Sequence, residues 1–275
     1  MEKERHNRLI KLLVSDLDGT LLSAEKKVTP ADLKAIKDLK ESGVDICLAS
    51  GRMDNEMAKV ALMLQGDFHQ ISQNGAYVIT RERETLYEKV FSEKIARSVY
   101  NTVKSPETIT LVCSNHTNFV EQDHEALAEI QKYLFFPIEK EPNMSGEFGQ
   151  SLFPSKISVI SFPDEIFAIE KAILEQFSNE VDCYVSAPGC LDIMPKNISK
   201  GHSLRILLSH LNLKEDEIAC VGDSFNDIPM FNITPHSFAM KGGEPEVQKL
   251  TTHVVSSVKD VAEYILDYNA KISVK

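Results

Sequence analysis

The amino-acid sequence predicts an α/β protein: a Rossmann-like parallel sheet core into which a smaller α+β unit is inserted. Three observations lead to this prediction. Short apolar runs alternate with amphipathic helical patterns at both ends of the chain, the alternation stops in the middle, and 275 residues exceed the length of one small domain. Strands that alternate with helices favour right-handed crossovers and a parallel sheet with helices on both faces.

The first elements are a buried strand, a helix and a second buried strand. Residues 9–15 and 44–49 are short apolar runs typical of strands buried on both faces. Between them, Thr29-Pro30 precedes apolar residues at helical spacing, and Gly43 follows the last of them. This pattern predicts a helix with a Thr cap, a proline in its first turn and a glycine past its end.

A second helix and a hairpin follow. Apolar residues from Met57 to Leu64 recur at helical spacing, and a brief strand is expected near Ile71. Asn74-Gly75 is a strong turn signal, and residues 76–80 and 85–90 are expected to form a hairpin around the charged segment 81–84.

The middle of the chain has a different rhythm. Strands are predicted at 108–113, 118–120, 156–161 and 181–185, helices at 92–104, 124–133 and 164–177, and a Pro/Gly-rich loop at 137–154. We expect these segments to form a separate α+β domain over residues 87–190, called the cap here, inserted into a core at residues 1–86 and 191–275.

Simple alternation resumes after residue 191. It predicts a helix at 200–211, a strand at 218–221, a short helix near Asp227, strands near Phe238 and Val254, and a final helix from Lys259.

Composition and charge exclude several classes of protein. The net charge of −11 argues against a broad surface for nucleic acid or anionic lipid. The charged start, residues 1–8, and the absence of a long apolar run argue against a secretory signal or a membrane span, so we expect a cytoplasmic protein. The five cysteines contain no Cys-x-x-Cys pair and are expected to be reduced and structural.

Polar residues follow three of the predicted buried strands. The first strand ends in Asp16-Leu17-Asp18-Gly19-Thr20, the second in Ser50-Gly51-Arg52, and the strand at 218–221 in Gly222-Asp223-Ser224-Phe225-Asn226-Asp227. Because the carboxyl ends of parallel strands meet at one edge of the sheet, four carboxylates should crowd together there. Such a cluster needs a neutralising charge, and all-oxygen ligation suits Mg²⁺.

In these segments, together with Asn74-Gly75-Ala76 and Ser199-Lys200-Gly201, the chain resembles the haloacid-dehalogenase (HAD) superfamily, specifically its Cof-like sugar-phosphatase branch with a large α/β cap. The resemblance extends over essentially the whole chain, with the five segments in order and a cap-sized insertion between the third and the fourth. Two places differ from the family pattern: Ser50 stands where Thr is common, and Met240-Lys241-Gly242-Gly243-Glu244 stands where Met-Gly-Asn-Ala is common.

The resemblance implies roles for the carboxylates. Asp16 would be the nucleophile that forms an aspartyl-phosphate, and Asp18 would protonate the leaving alcohol and then deprotonate water. Mg²⁺ would be held by Asp16, by the backbone carbonyl of Asp18 and by Asp223, with Asp227 as a ligand or a support for the ligands.

It also implies a phosphate-binding set. Ser50 and the backbone near Gly51 would hold a phosphate oxygen, and Lys200 would supply a positive charge close to a helix N-terminus. Asn226 would contact substrate or orient Lys200, and Arg52 would bind phosphate or pair with carboxylates of the cap or core.

The expected activity is Mg²⁺-dependent hydrolysis of small phosphorylated metabolites, sugar phosphates first. One alternative is a phosphomutase or phosphotransferase on the same scaffold, which acceptor-dependent loss of phosphate release would reveal. Another is a non-catalytic phospho-ligand sensor resembling a receiver domain, which would show one stoichiometric phosphorylation instead of turnover. Asp18 argues against the sensor, because a switch that must keep its phosphate has no use for a base beside it.

Overall fold

Two β-sheets organise the computed structural model, which describes residues 8–114 and 116–274. The charged start that the sequence analysis singled out lies outside the described residues except for Arg8. Within the described part of the chain, no helix is long and apolar enough to cross a membrane.

The larger sheet has eight strands. They are β1 (Leu12–Ser15), β2 (Asp45–Ala49), β3 (His69–Ser72), β4 (Tyr77–Ile79), β5 (Thr85–Glu88), β12 (Ile218–Gly222), β13 (Ser237–Met240) and β14 (His253–Val255). Their order is β14-β13-β12-β1-β2-β3-β4-β5. The first six in this order are parallel, and β4 and β5 are antiparallel additions at one edge. The predicted Rossmann-like parallel sheet is confirmed.

Helices cover both faces of this sheet. They are α1 (Pro30–Glu41), α2 (Asp54–Met63), α7 (Lys200–Leu211), α8 (Ile228–Phe231), α9 (Pro245–Gln248) and α10 (Val258–Ser273). Because successive side chains of a strand face opposite sides, β1 contributes to two cores. Leu13 packs in the cluster with α1, α2 and α10, whereas Leu12 and Val14 pack in the cluster with α7 and α8.

The helix ends follow from local chemistry. Thr29 caps α1 by accepting a hydrogen bond from the Asp32 backbone N–H, and Pro30 occupies the first turn, as predicted. Ser199 caps α7 through the His202 N–H, and α7 ends at Asn212, which adopts a left-handed conformation with φ of 53°.

The smaller sheet belongs to the inserted cap. Its strands are β6 (Ile109–Ser114), β7 (Thr117–Val120), β8 (Glu139–Lys140), β9 (Lys156–Ile160), β10 (Val181–Ala187) and β11 (Cys190–Pro195), in the order β10-β11-β9-β6-β7-β8. Its helices are α3 (Glu93–Val103), α4 (Leu127–Gln131), α5 (Met144–Glu147) and α6 (Pro163–Phe177). One face of the sheet packs on α3, α5 and α6.

One predicted boundary differs from the structure. The core was expected to resume at residue 191, but β11 pairs with β9 and β10 of the smaller sheet through Pro195. No strand was predicted at residues 190–195, and the domain boundary at 191 is wrong because β11 joins the smaller sheet by pairing with distant segments.

Candidate active site

The site lies at the carboxyl edge of the larger sheet, where β1, β2 and β12 end side by side. β1 lies between β12 and β2. The chain runs from β1 to β2 on one side and from β12 to β13 on the other, and this divergence opens a crevice between the two loops. The segments beginning at Asp16, Ser50 and Asp223 all enter this crevice, as the sequence predicted.

Three carboxylates form a compact cluster. Oxygen atoms of Asp16, Asp223 and Asp227 all lie within 4.8 Å of one another. Asp16 Oδ2 is buried and has no hydrogen-bond partner among the described residues. It therefore remains available to a ligand or a reacting atom.

Lys200 supplies the positive charge within the cluster. Its Nζ donates to Asp16 Oδ1 at 2.6 Å and to Asp227 Oδ1 at 2.7 Å, and its side chain is fully buried. Burial opposes the charged ammonium, but the carboxylates of Asp16 and Asp227 outweigh it and raise the pKa of Lys200 above its usual range.

Two carboxyl groups of the cluster, those of Asp16 and Asp223, are less acidic than usual. Burial raises the pKa of Asp16 well above its ordinary value, although Lys200 acts in the opposite direction. Burial and the neighbouring charge of Asp227 raise the pKa of Asp223 to about 6. One lysine therefore does not neutralise this site, and a further cation would stabilise it.

Loop geometry fixes the three carboxylates. Asp227 Oδ2 accepts backbone N–H groups of Asp223 at 2.9 Å and Ser224 at 3.0 Å, which closes the loop after β12. Gly19 has a φ of 78°, and a Cβ there would overlap Asp223 Oδ2. The loops after β1 and β12 approach so closely that only glycine fits at position 19.

Asp18 has a different environment from the cluster. Its carboxylate accepts two hydrogen bonds from Arg52, from Nη2 at 2.6 Å and from Nε at 2.7 Å, and its side chain is 53% exposed. Arg52 also pairs with Glu56 at 3.4 Å. Pairing with carboxylates was one of the two roles left open for Arg52. The Asp18 side chain is not part of the three-carboxylate cluster, and the metal role of its backbone carbonyl stays a prediction.

The remaining predicted residues line the same crevice. Ser50 Oγ accepts the backbone N–H of Arg52 at 3.1 Å. Asn226 Nδ2 donates to Asn74 Oδ1 at 3.1 Å, so Asn226 is held by Asn74 and not by Lys200. Ser50, Gly51, Arg52 and Asn226 all line a cavity of about 610 Å³ that also contains Asp16, Asp18 and Asp223.

The cap contributes residues that sequence reasoning missed. Lys156 of β9 donates to the Gly51 carbonyl at 3.0 Å and lies 3.4 Å from Asp192 Oδ2. Asp192 of β11 also accepts Asn74 Nδ2 at 2.8 Å. The sequence does contain a signal for both residues: each is a charged residue within an otherwise apolar strand segment, which indicates that one face of the strand is polar.

The donor set fits a hard divalent cation. It offers carboxylate oxygens only, and among the described residues no His or Cys joins the cluster. Mg²⁺ prefers such ligands and keeps positions for water and phosphate oxygens. Asp16, Asp223 and Asp227 would hold it.

Comparisons with known proteins find similar chains over most of the sequence. A family model described as haloacid dehalogenase-like hydrolase matches residues 13–265. A Haemophilus influenzae protein whose name classes it as a phosphatase is 27% identical over 277 residues, which cover 95% of this chain and 100% of that protein. The HMP-PP phosphatase of Serratia proteamaculans is 26% identical and covers 88% of both chains. A crystal structure from Thermotoga maritima superposes with a TM-score of 0.81 at 27% identity, covering 93% of this chain and 97% of that one.

Proposed function

Because the chain belongs to the haloacid dehalogenase-like hydrolases, in their Cof-like branch, and is a phosphatase, we propose that it uses Mg²⁺ to hydrolyse small phosphorylated metabolites through an aspartyl-phosphate on Asp16. Sugar phosphates are the substrate class to which the resemblance points. The observation that carries the proposal is the buried Asp16 Oδ2, which lies without a partner among the described residues at the floor of the cavity.

The first half-reaction transfers the phosphoryl group to the protein. Asp16 Oδ2 forms a bond to phosphorus while the bond from phosphorus to the leaving oxygen breaks, and Asp18 gives its proton to that oxygen. Lys200 holds Asp16 Oδ1 at 2.6 Å and so fixes which oxygen attacks. Bound Mg²⁺ would supply positive charge that offsets repulsion between the carboxylate and the phosphate.

The second half-reaction restores the protein. Asp18 takes a proton from water, whose oxygen attacks the phosphorus of the aspartyl-phosphate, and the bond to Asp16 breaks to release inorganic phosphate. For both steps Asp18 must reach the bridging oxygen, so its two hydrogen bonds to Arg52 must loosen or rotate. Arg52 then acts as a positioning residue for Asp18.

We also propose that the cap is a separate unit that covers the cavity and selects the leaving group. The smaller sheet and its helices support this division, with the unit extending from about residue 91 to Pro195. The core would keep the phosphate while the cap moves on its two connections, which excludes water during transfer.

Phosphate release from a panel of sugar, nucleotide and cofactor phosphates with Mg²⁺ tests the function. We expect Asp16→Asn to abolish turnover, since an amide is too weak a nucleophile, while the fold stays intact. Asp67→Asn, which alters an exposed carboxylate elsewhere on the core, is the matched control and should keep full activity. Substantial turnover by a pure Asp16→Asn preparation, or full activity in excess chelator, would contradict the proposal.

A further inference from the structure

The wall of the cavity that the cap forms changes from polar to apolar with distance from Ser50-Gly51-Arg52, called the phosphate loop here. Side chains two residues apart on a strand share a face, so Lys156, Ser158 and Ile160 of β9 form one row along this wall. Lys156 contacts the Gly51 carbonyl, which places this end of the row at the phosphate loop. Each step along the row, from one side chain to the next, is two residues and covers about 7 Å, because a strand rises ~3.3 Å per residue.

The near part of the wall offers a hydrogen-bond donor to the leaving group, the ammonium of Lys156. Asp192 is already occupied, because it accepts Ser158 Oγ at 2.6 Å, Asn74 Nδ2 at 2.8 Å and the Lys156 ammonium at 3.4 Å. The Lys156 ammonium has three protons, and Gly51 O and Asp192 use two of them. The third suits a hydroxyl or ring oxygen of the leaving group.

The far part of the wall is mostly apolar, although Ser186 also lines it beside Cys190. Ile160 lies with Leu111 and Ile130 in one hydrophobic cluster, and all three line the cavity. Tyr133 lies at the opening of the cavity with 70% of its surface exposed. The ring of a hexose 6-phosphate carries several hydroxyl groups, and burying them against these side chains would leave them without partners. A planar ring has apolar faces that stack well there.

From this gradation we infer that the leaving group is a ribose carrying a planar base, so that the substrate is a nucleoside 5′-monophosphate. The inference rests on the proposed phosphatase function and names the substrate class of the same site. The ribose lies beside Lys156, within one step of the phosphate, and the base lies against Ile160 and Tyr133. A cavity of about 610 Å³ is of the size that ligands of this class occupy.

The test compares substrates that differ only in the base. We would measure kcat/KM for AMP, GMP, CMP and UMP against ribose 5-phosphate, which has the same phosphate and sugar. At least one nucleotide should exceed ribose 5-phosphate by about ten-fold or more, in line with the usual contribution of base stacking. Tyr133→Ala should remove most of that advantage and leave ribose 5-phosphate unchanged, whereas Tyr133→Phe should keep it. Phe167→Ala, which alters another exposed aromatic residue of the cap, is the matched control.

The outcomes separate this inference from the function on which it rests. Titration of Asp16→Asn with the same nucleotides and with ribose 5-phosphate, by calorimetry, measures binding without turnover. If para-nitrophenyl phosphate is hydrolysed but ribose 5-phosphate or hexose 6-phosphates equal every nucleotide, the inference is wrong and the phosphatase function remains. A nucleotide advantage that Tyr133→Ala does not reduce would also overturn it. Absence of hydrolysis for all substrates would overturn both.

Discussion

At the scale of single residues, the site is short of positive charge. Asp16, Asp223 and Asp227 share one buried lysine, and two like charges about 4 Å apart repel by about 4 kcal/mol at an effective dielectric of 20. Burial and this repulsion favour the protonated form of a carboxyl group more than water does. The pKa of Asp223, raised to about 6, is the measurable sign of that preference.

Asp223 should make the metal-free protein less stable as the pH rises. Its pKa is about 6 when folded and 3.8 in the reference state, so the folded protein binds more protons between these values. The free energy of unfolding should therefore fall as the pH rises from about 4 to about 7, by up to ~3 kcal/mol at 1.36 kcal/mol per pKa unit. Urea unfolding of wild type and Asp223→Asn in EDTA measures this difference. Parallel pH profiles of the two proteins would show that Asp223 does not titrate in this range.

At the scale of secondary-structure elements, glycines at positive φ set the shapes of the loops. Gly19 and Gly43 have φ values of 78° and 85°, but only Gly19 faces another loop. No atom lies within 4 Å of a Cβ built at Gly43, whereas one built at Gly19 overlaps the Asp223 carboxylate. A substitution at Gly43 therefore adds backbone strain only, whereas a substitution at Gly19 adds the same strain and also displaces a carboxylate of the site.

Gly43→Ala and Gly19→Ala should differ in their response to Mg²⁺. Both should lose about 1–2 kcal/mol of stability, because alanine is strained in the left-handed region. Mg²⁺ at 100 times its dissociation constant should add about 2.7 kcal/mol to wild type and Gly43→Ala, by preferential binding to the folded state. Gly19→Ala, whose Cβ displaces Asp223, should lose most of this gain. Denaturant midpoints of each variant, with Mg²⁺ and with EDTA, measure the stability that Mg²⁺ adds. An equal increase in Gly43→Ala and Gly19→Ala would mean that the cation binds elsewhere.

Elements with strong local signals could be predicted from the sequence, and those that depend on distant pairing could not. The helix predicted at 200–211 is α7, and the Thr29 cap of α1 is confirmed. The helix predicted at 124–133 was too long: only Leu127–Gln131 is helical, and none of its residues is buried to support more turns. The predicted loop at 137–154 contains β8 and α5, and β8 exists only because β7 lies beside it.

The same limit applies to the site. Residues that directly follow parallel strands could be predicted because all such strands end at one edge, and the structure brings Asp16, Ser50 and Asp223 together there. Lys156 and Asp192 could not, because a strand pattern does not say which face of the cap meets the core. The catalytic roles of the predicted residues stay predictions.

At the scale of the whole molecule, one aromatic ring joins cap to core. Phe135, from the loop after α4, lies 4.7 Å from the Arg52 guanidinium and 5.1 Å from Lys26 Nζ, measured to the ring centroid. Its backbone N–H donates to Glu56 at 2.7 Å. Since Arg52 also holds Asp18, the position of the cap is linked to the position of the proposed acid and base.

Phe135→Ala should loosen the cap without unfolding it. Loss of the three cation–π contacts with Lys26, Arg52 and Lys59, each worth about 0.5–1 kcal/mol at exposed sites, should raise hydrogen exchange of residues 127–136 several-fold. The core strands should exchange as in wild type. Phe167→Ala serves as the control, because Phe167 is exposed on α6. Unchanged exchange at 127–136 would mean that the remaining contacts, the backbone bond to Glu56 and the bonds from Lys26 and Lys59 to backbone carbonyls, hold the loop.

The order of strands in the larger sheet has a consequence for biosynthesis. The central strand β1 pairs with β12, which leaves the ribosome roughly 200 residues later, about 10–40 s at ordinary translation rates. During that time one edge of a strand that is fully buried in the finished fold, Leu12–Ser15, is open on the nascent chain. The cap is synthesised within this interval. A unit that folds early and stays soluble beside the unfinished sheet would shield this edge from neighbouring chains on the same polysome.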